Sequence, residues 1–265
     1  MHRRLHSILL IPFLFLSLFS FSEKDVSISA ESAVLMSPIM KRIVYSKNPN
    51  LRLSPASTTK IMTAIVVLKN SSLDKEVTVS KRAASMEPSK VYIKKDEIYL
   101  TGDLLKALLL NSGNDASVAL AENVAGSEEE FVEMMNKAAK GIGAKNTHFK
   151  TSNGLPAEGQ YSTAYDLALI VREAMRHEEI VEIMKKKTDQ IKEVRTGRVI
   201  KLRSHNKSLW KDTPYKMLGK TGYTKKAGSC FAGYIDYNRW RRLIIVILKS
   251  KTKWQDLGVL AEAAL

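Results

Sequence analysis

The sequence predicts an α/β chain of the α+β kind, with one antiparallel sheet built from both ends of the chain around a mostly helical insertion. Three observations carry this. Strand-like runs cluster towards the two ends, and helix-like apolar spacing fills the middle. Setting aside the first 22 of 265 residues leaves 243, enough for one domain with a full core.

The strand signals lie at 27–36, 42–46, 198–203, 217–223, 230–236 and 241–248, with a shorter one at 76–79. Helices are expected at 57–70, 102–111, 116–125, 128–142 and 163–176. Thr163 with Asp166 resembles a capping box, which makes Asp166 a helix cap rather than a catalytic acid. Gly141 and Gly143 close a helix and are too little for a dinucleotide site. Before all of these, Arg3 and Arg4 precede an apolar run at 8–21 that ends near the small residues Ser20 and Ser22. The run is short of the roughly 20 residues a membrane span needs. It reads as an export signal over 1–22, cleaved after Ser22, with an uncleaved anchor as the alternative; residues 23–265 are expected to form one domain. The expected location is therefore outside the cytoplasm, periplasmic or extracellular.

Forty-two Lys and Arg against 27 Asp and Glu give a formal charge of +15, which loses two arginines with the signal and becomes about +13. Such a chain favours anionic partners. Export and the lack of an aromatic-studded basic motif argue against nucleic acid, leaving wall polymers, peptide carboxylates or phospholipid head groups. Membrane association would need an uncleaved signal or the basic surface. Cys230 is the only cysteine, so no internal disulfide forms, and it is expected to pack as a small apolar residue beside the Lys220 strand. His2, His6, His148, His177 and His205 lack metal-ligand spacing; neither metal nor cofactor is expected.

Ser-x-x-Lys occurs at Ser57, Ser72, Ser204, Ser208 and Ser250, and only the first opens a buried helical pattern. At a helix start, residues three apart share a face, so the Ser57 hydroxyl and the Lys60 amine come within hydrogen-bonding reach. That pairs a nucleophile with a base, provided burial or nearby positive charge lowers the lysine pKa. Taken alone, Ser57 could equally be a helix cap. Ser112-Gly113-Asn114 reads as a loop between two helices, able to present a hydroxyl and an amide to a cleft, or as a plain turn. Lys220-Thr221-Gly222 lies in a strand with glycine on each side of the Lys-Thr pair, where a ligand backbone could approach closely. A phosphate loop would need glycine where Pro214 stands.

In this order the three elements resemble the penicillin-binding protein and serine β-lactamase superfamily, and more narrowly the low-molecular-mass D-alanyl-D-alanine carboxypeptidases. The narrower likeness rests on residues 54–64, 111–116, 153–156, 161–167 and 219–224 followed by Ala227-Gly228, and covers nearly all of 28–255. The resemblance implies a β-lactamase/transpeptidase-like fold, a DD-peptidase catalytic domain over residues 23–265 associated with the cell wall, and no cofactor. It implies that Ser57 attacks the carbonyl between two D-alanines of a peptidoglycan stem peptide, with Lys60 as base and β-lactams as covalent inhibitors. Ser112 and Lys220 would pass a proton to the leaving D-alanine. Thr221 would bind its carboxylate, Asn114 the substrate amide, and the N–H groups of Ser57 and Tyr223 would line the oxyanion hole, with Gly222 between. The family's C-terminal β domain is expected to be absent. The arginine common after the last strand is missing from 251–257, where Lys251 or Lys253 stands without its bidentate fork. That keeps a D,D-endopeptidase reading open; a β-lactamase would need a deacylating Glu motif that the sequence lacks.

Overall fold

The computed structural model describes residues 26–238 and 241–265, so the expected export signal lies outside the described residues. The first part of the chain forms β1 (Ser32–Met36), β2 (Ile43–Lys47), a 3-10 turn (Ala56–Thr59) and α1 (Lys60–Asn70). There follow β3 (Glu76–Thr78), α2 (Lys81–Ala84), β4 (Ile98–Leu100), α3 (Thr101–Leu110), α4 (Asn114–Ala125) and α5 (Glu128–Ile142). Next come α6 (Ala164–Ala174), α7 (Glu178–Lys185), β5 (Thr188–Lys192), β6 (Val199–Arg203) and a second 3-10 turn (Lys207–Trp210). The chain then returns through β7 (Lys216–Thr224), β8 (Gly228–Asn238), β9 (Arg241–Ser250) and α8 (Lys253–Glu262).

Five strands make the antiparallel sheet, in the order β2-β1-β9-β8-β7, so the two ends of the chain do pair around the helices. Successive side chains of a strand face opposite ways, and here both faces are covered. On β9, Leu243, Ile245 and Ile247 pack with Leu257 and Leu260 of α8, while Ile244, Val246 and Leu248 join the core of the helical part. This explains why β9 reads as one unbroken apolar run rather than an alternation. At the centre of the helical core α1 is buried from Lys60 through Val67, which puts the Lys60 side chain inside the protein.

The structure corrects several expectations. The segment at 198–203 does not join the main sheet; β6 pairs with β5 in a separate hairpin whose one face, through Ile191, Ile200 and Leu202, rests on the helical core while the other is exposed. Helices α7 and α8 and strand β5 had no counterpart in the reading, being short elements whose core faces rest on few residues. Thr163 caps α6 by accepting from the Asp166 N–H, but the Asp166 carboxylate instead accepts from Asn146 N and the Thr147 hydroxyl, tying down the preceding loop. Cys230 is buried opposite Gly222, and burial pushes its thiol up to about 11.

The β7 glycines also act differently from expectation. A Cβ on Gly219 would lie 2.4 Å from Ala232 O and 2.6 Å from Gly233 Cα, and one on Gly222 would lie 3.1 Å from Ser57 N. Each makes room for the protein's own backbone. Gly222 in particular lets β7 seat against the turn that carries Ser57.

Candidate active site

The 3-10 turn delivers Ser57 just ahead of α1, and Ser57 does not cap it: the helix N-cap is Thr59, with no side-chain cap. The hydroxyl is instead turned to Lys60, whose Nζ lies 3.1 Å from Ser57 Oγ. Lys60 Nζ also donates to Asn114 Oδ1 and to the Asn153 carbonyl, both at 2.7 Å. Asn114 is oriented unambiguously, because its Nδ2 donates to Glu87 O at 2.8 Å and so leaves Oδ1 for the lysine.

Burial holds the Lys60 amine well below the usual lysine range, and the nearby Lys220 charge lowers it further, against opposing pulls from Asp115 and Glu128. Lys220 is also buried, donates to Thr221 O at 3.1 Å, and is pushed down to about 7 by burial and by Lys253. Burial and nearby positive charge, the two conditions under which Lys60 could serve as a base, are thus both present at its amine. The Asp115 carboxylate accepts from Val91 N and Ile93 N and anchors the 91–93 segment beside α4.

Ser112 is buried in the loop between α3 and α4, with φ of 61° in the left-handed region that non-glycine residues seldom occupy. Thr221 is buried on β7, whereas Tyr223 is 67% exposed. A groove runs from Tyr223 past His205, Lys207, Lys251 and Lys253. Of the two lysines near the missing arginine, Lys251 is exposed, while Lys253 is partly buried with Nζ 5.1 Å from the Trp254 ring centroid. Burial and the charges of Lys220, Lys60 and Lys253 push His205 down to about 4, so it is neutral at pH 7. Among the described residues no group of His, Cys, Asp and Glu is arranged to hold a metal.

Ser57, Lys60 and Asn114 are therefore joined by hydrogen bonds, Gly222 of β7 packs on the Ser57 turn, and Lys220 lies near enough for its charge to act on Lys60. Reasoning from sequence missed two partners. The lysine-orienting role of Asn114 was masked by its expected contact with substrate, and the Asn153 carbonyl is a backbone group that residue type cannot announce. The 153–156 segment carried the only hint.

Comparison with known proteins agrees with this geometry. Residues 19–252 match the D-alanyl-D-alanine carboxypeptidase family, peptidase S11. The chain belongs to this family. It is accordingly a serine-type peptidase. It is 38% identical to D-alanyl-D-alanine carboxypeptidase DacF of Bacillus subtilis, over 97% of this chain and 69% of that protein. It is 36% identical to DacD of Escherichia coli, over 86% of this chain but only 60% of the relative, so it spans about three fifths of such enterobacterial proteins. In structure it is similar to a Streptomyces DD-transpeptidase, with a TM-score of 0.83 at 28% identity, covering 90% of this chain and 97% of that one.

Proposed function

We propose that this protein is a serine D-Ala-D-Ala carboxypeptidase that removes the terminal D-alanine from peptidoglycan stem peptides, and that β-lactams acylate the same serine. The observation that carries the reading is the setting of the Lys60 amine. A neutral amine has two N–H donors and one lone pair. The Asn114 amide oxygen and the Asn153 carbonyl can only accept, so together they take both N–H groups. The lone pair is left facing Ser57, where it can take the hydroxyl proton.

Ser57 Oγ then bonds to the carbonyl carbon of the penultimate D-alanine while the proton passes to Lys60. The backbone N–H groups of Ser57 and Tyr223 stabilise the developing oxyanion. Collapse breaks the C–N bond, and the leaving amine gains a proton by way of Ser112 and Lys220. Water then cleaves the ester and restores Ser57. Asn114 retains one lone pair and one N–H for the substrate amide, and Thr221 meets the terminal carboxylate. The export expected from 1–22 would bring the enzyme to its wall substrate; among the described residues no helix is long and apolar enough to cross a membrane.

Two predictions arise here. The acylation step needs Lys60 neutral and Lys220 protonated. The second-order rate of penicillin acylation should rise with pH as Lys60 loses its proton, then fall beyond about 7 as Lys220 does. A rate still climbing at pH 9 would remove the Lys220 ammonium from the step.

The second concerns the terminal carboxylate, and Lys253 supports the carboxypeptidase over the endopeptidase reading. It is a partly buried cation close enough for its charge to depress Lys220. Lys253→Gln should lower kcat/KM for a monomer ending in D-Ala-D-Ala about tenfold or more, the worth of one charge-assisted hydrogen bond. The same monomer with a terminal carboxamide should show no such loss, since removing the charge only lets Lys220 hold its proton to higher pH, and an equal loss on both would rule Lys253 out. Wild-type enzyme given that monomer beside a cross-linked dimer lacking the terminus tests the function itself by mass spectrometry. Loss of one alanine from the monomer is expected, and cleavage of the dimer alone would make the protein an endopeptidase.

A further inference from the structure

Outside the recognised motifs, one buried acid is wired to the Lys60 amine. Glu128 opens α5 and is only 6% exposed. Its Oε2 accepts from Arg82 Nη2 at 2.8 Å, and its Oε1 accepts from both Ser152 N, at 2.9 Å, and Ser152 Oγ, at 2.7 Å. Ser152 is gripped further by the Ser117 hydroxyl at 3.0 Å and, through its carbonyl, by the Thr63 hydroxyl at 2.5 Å. The next residue along is Asn153, whose carbonyl accepts from Lys60 Nζ. The chain of contacts thus runs from an exposed arginine, through a buried carboxylate and one peptide segment, to the amine beside Ser57.

We infer that Glu128 is a positioning residue for Lys60: its carboxylate, clamped by Arg82, holds the 152–153 backbone so that the Asn153 carbonyl takes one amine N–H and leaves the lone pair on Ser57. This rests on the base role proposed for Lys60. A backbone carbonyl on a loop is free to rotate unless the chain around it is tied: the 153–154 peptide is held by Gly154 N donating to Thr151 Oγ1, and Glu128 fixes the preceding residue through the Ser152 N–H and hydroxyl. The carboxylate also acts through its charge. The groups felt by the Lys60 amine are the cation of Lys220 and the anions of Asp115 and Glu128. Arg82, itself paired with Glu128 and Glu129, partly offsets Glu128 from the far side. His205, across the cleft, is neutral at pH 7. Glu128 therefore sets both the direction of the lone pair and how readily it is freed.

The two effects can be read separately. Glu128→Gln keeps an oxygen for Ser152 and removes the charge, so the rising acid limb of penicillin acylation should move to lower pH by about half a unit to one unit. Arg82→Ala lies on the surface, leaves the carboxylate uncompensated, and should move the same limb to higher pH. Glu128→Ala also removes the tether and should lower the plateau rate about tenfold or more. Opposite displacements in the first two variants, together with the lowered plateau in Glu128→Ala, would establish the inference. An acid limb that stays in place in both, with or without a fall in Tm, would overturn it and leave Glu128 purely structural. Wild-type protein that penicillin does not label at Ser57 would overturn the reading of the site as a whole, a result distinct from an unmoved limb.

Discussion

Replacing Ser57 by alanine is expected to abolish covalent penicillin labelling and to reduce D-alanine release at least about 10⁴-fold, because its hydroxyl is the one hydrogen-bonded to the Lys60 amine and its loss leaves that base no proton to take. Fold stability should change by no more than about 0.5 kcal/mol. The hydroxyl caps no helix, and its bond is to an amine already held by two stronger acceptors. A serine that capped α1 would instead cost about 1 kcal/mol on removal. Intact-mass measurement after incubation with penicillin, alongside a denaturant titration, reads both quantities. Labelling that persists at full stoichiometry would move the nucleophile elsewhere, with Ser112 the first place to look.

The second large effect is expected from Gly154→Ala. Gly154 has φ of +82°, and a Cβ there would sit 2.0 Å from Ala56 O, 2.5 Å from Ala56 C and 3.0 Å from Thr59 Oγ1. The obstacle is backbone on both sides, so no rotamer change relieves it; the nucleophile's turn must move or Gly154 must back away, dragging Asn153 with it. The variant should lose about 3 kcal/mol of stability or more, from overpacking and the positive φ together. Its acylation rate should fall at least about 100-fold, because a misplacement of the order of 1 Å separates Ser57 from Lys60. Gly126 provides an internal control, since it has the same φ of +82° with nothing within 4 Å of a built Cβ. Gly126→Ala should cost about 1 kcal/mol and leave acylation unchanged. Equal behaviour of the two variants would show that the close approach at Ala56 does not constrain the site.

Much of this was legible beforehand. The expected helix at 128–142 and the strand beginning at 241 agree with the structure, because α5 carries a Ser127 cap, three acids in its first turn and a closing glycine, and β9 is apolar without interruption from Leu243 to Leu248. The pairing of Ser57 with Lys60 was equally legible, since a helical turn sets the distance between residues three apart whatever surrounds them. The 198–203 segment was placed in the wrong sheet because local patterning reports that a strand forms and not which strand it meets. Glycine beside Lys220 was read as room for a ligand, when the neighbour at Gly222 is the Ser57 turn, more than 160 residues earlier in the chain.

By itself, then, the sequence determined the local chemistry: which hydroxyl, which amines and which amide stand in motif order, and which stretches are helix or strand. These follow from bond geometry and periodicity over a few residues. Only the tertiary structure decided what those groups do to one another. The depression of the two lysines comes from burial and from charges brought together across the cleft, and the aim of the Lys60 lone pair comes from acceptors 54 and 93 residues away along the chain. Burial and long-range juxtaposition belong to the packed chain, and no window of sequence contains them.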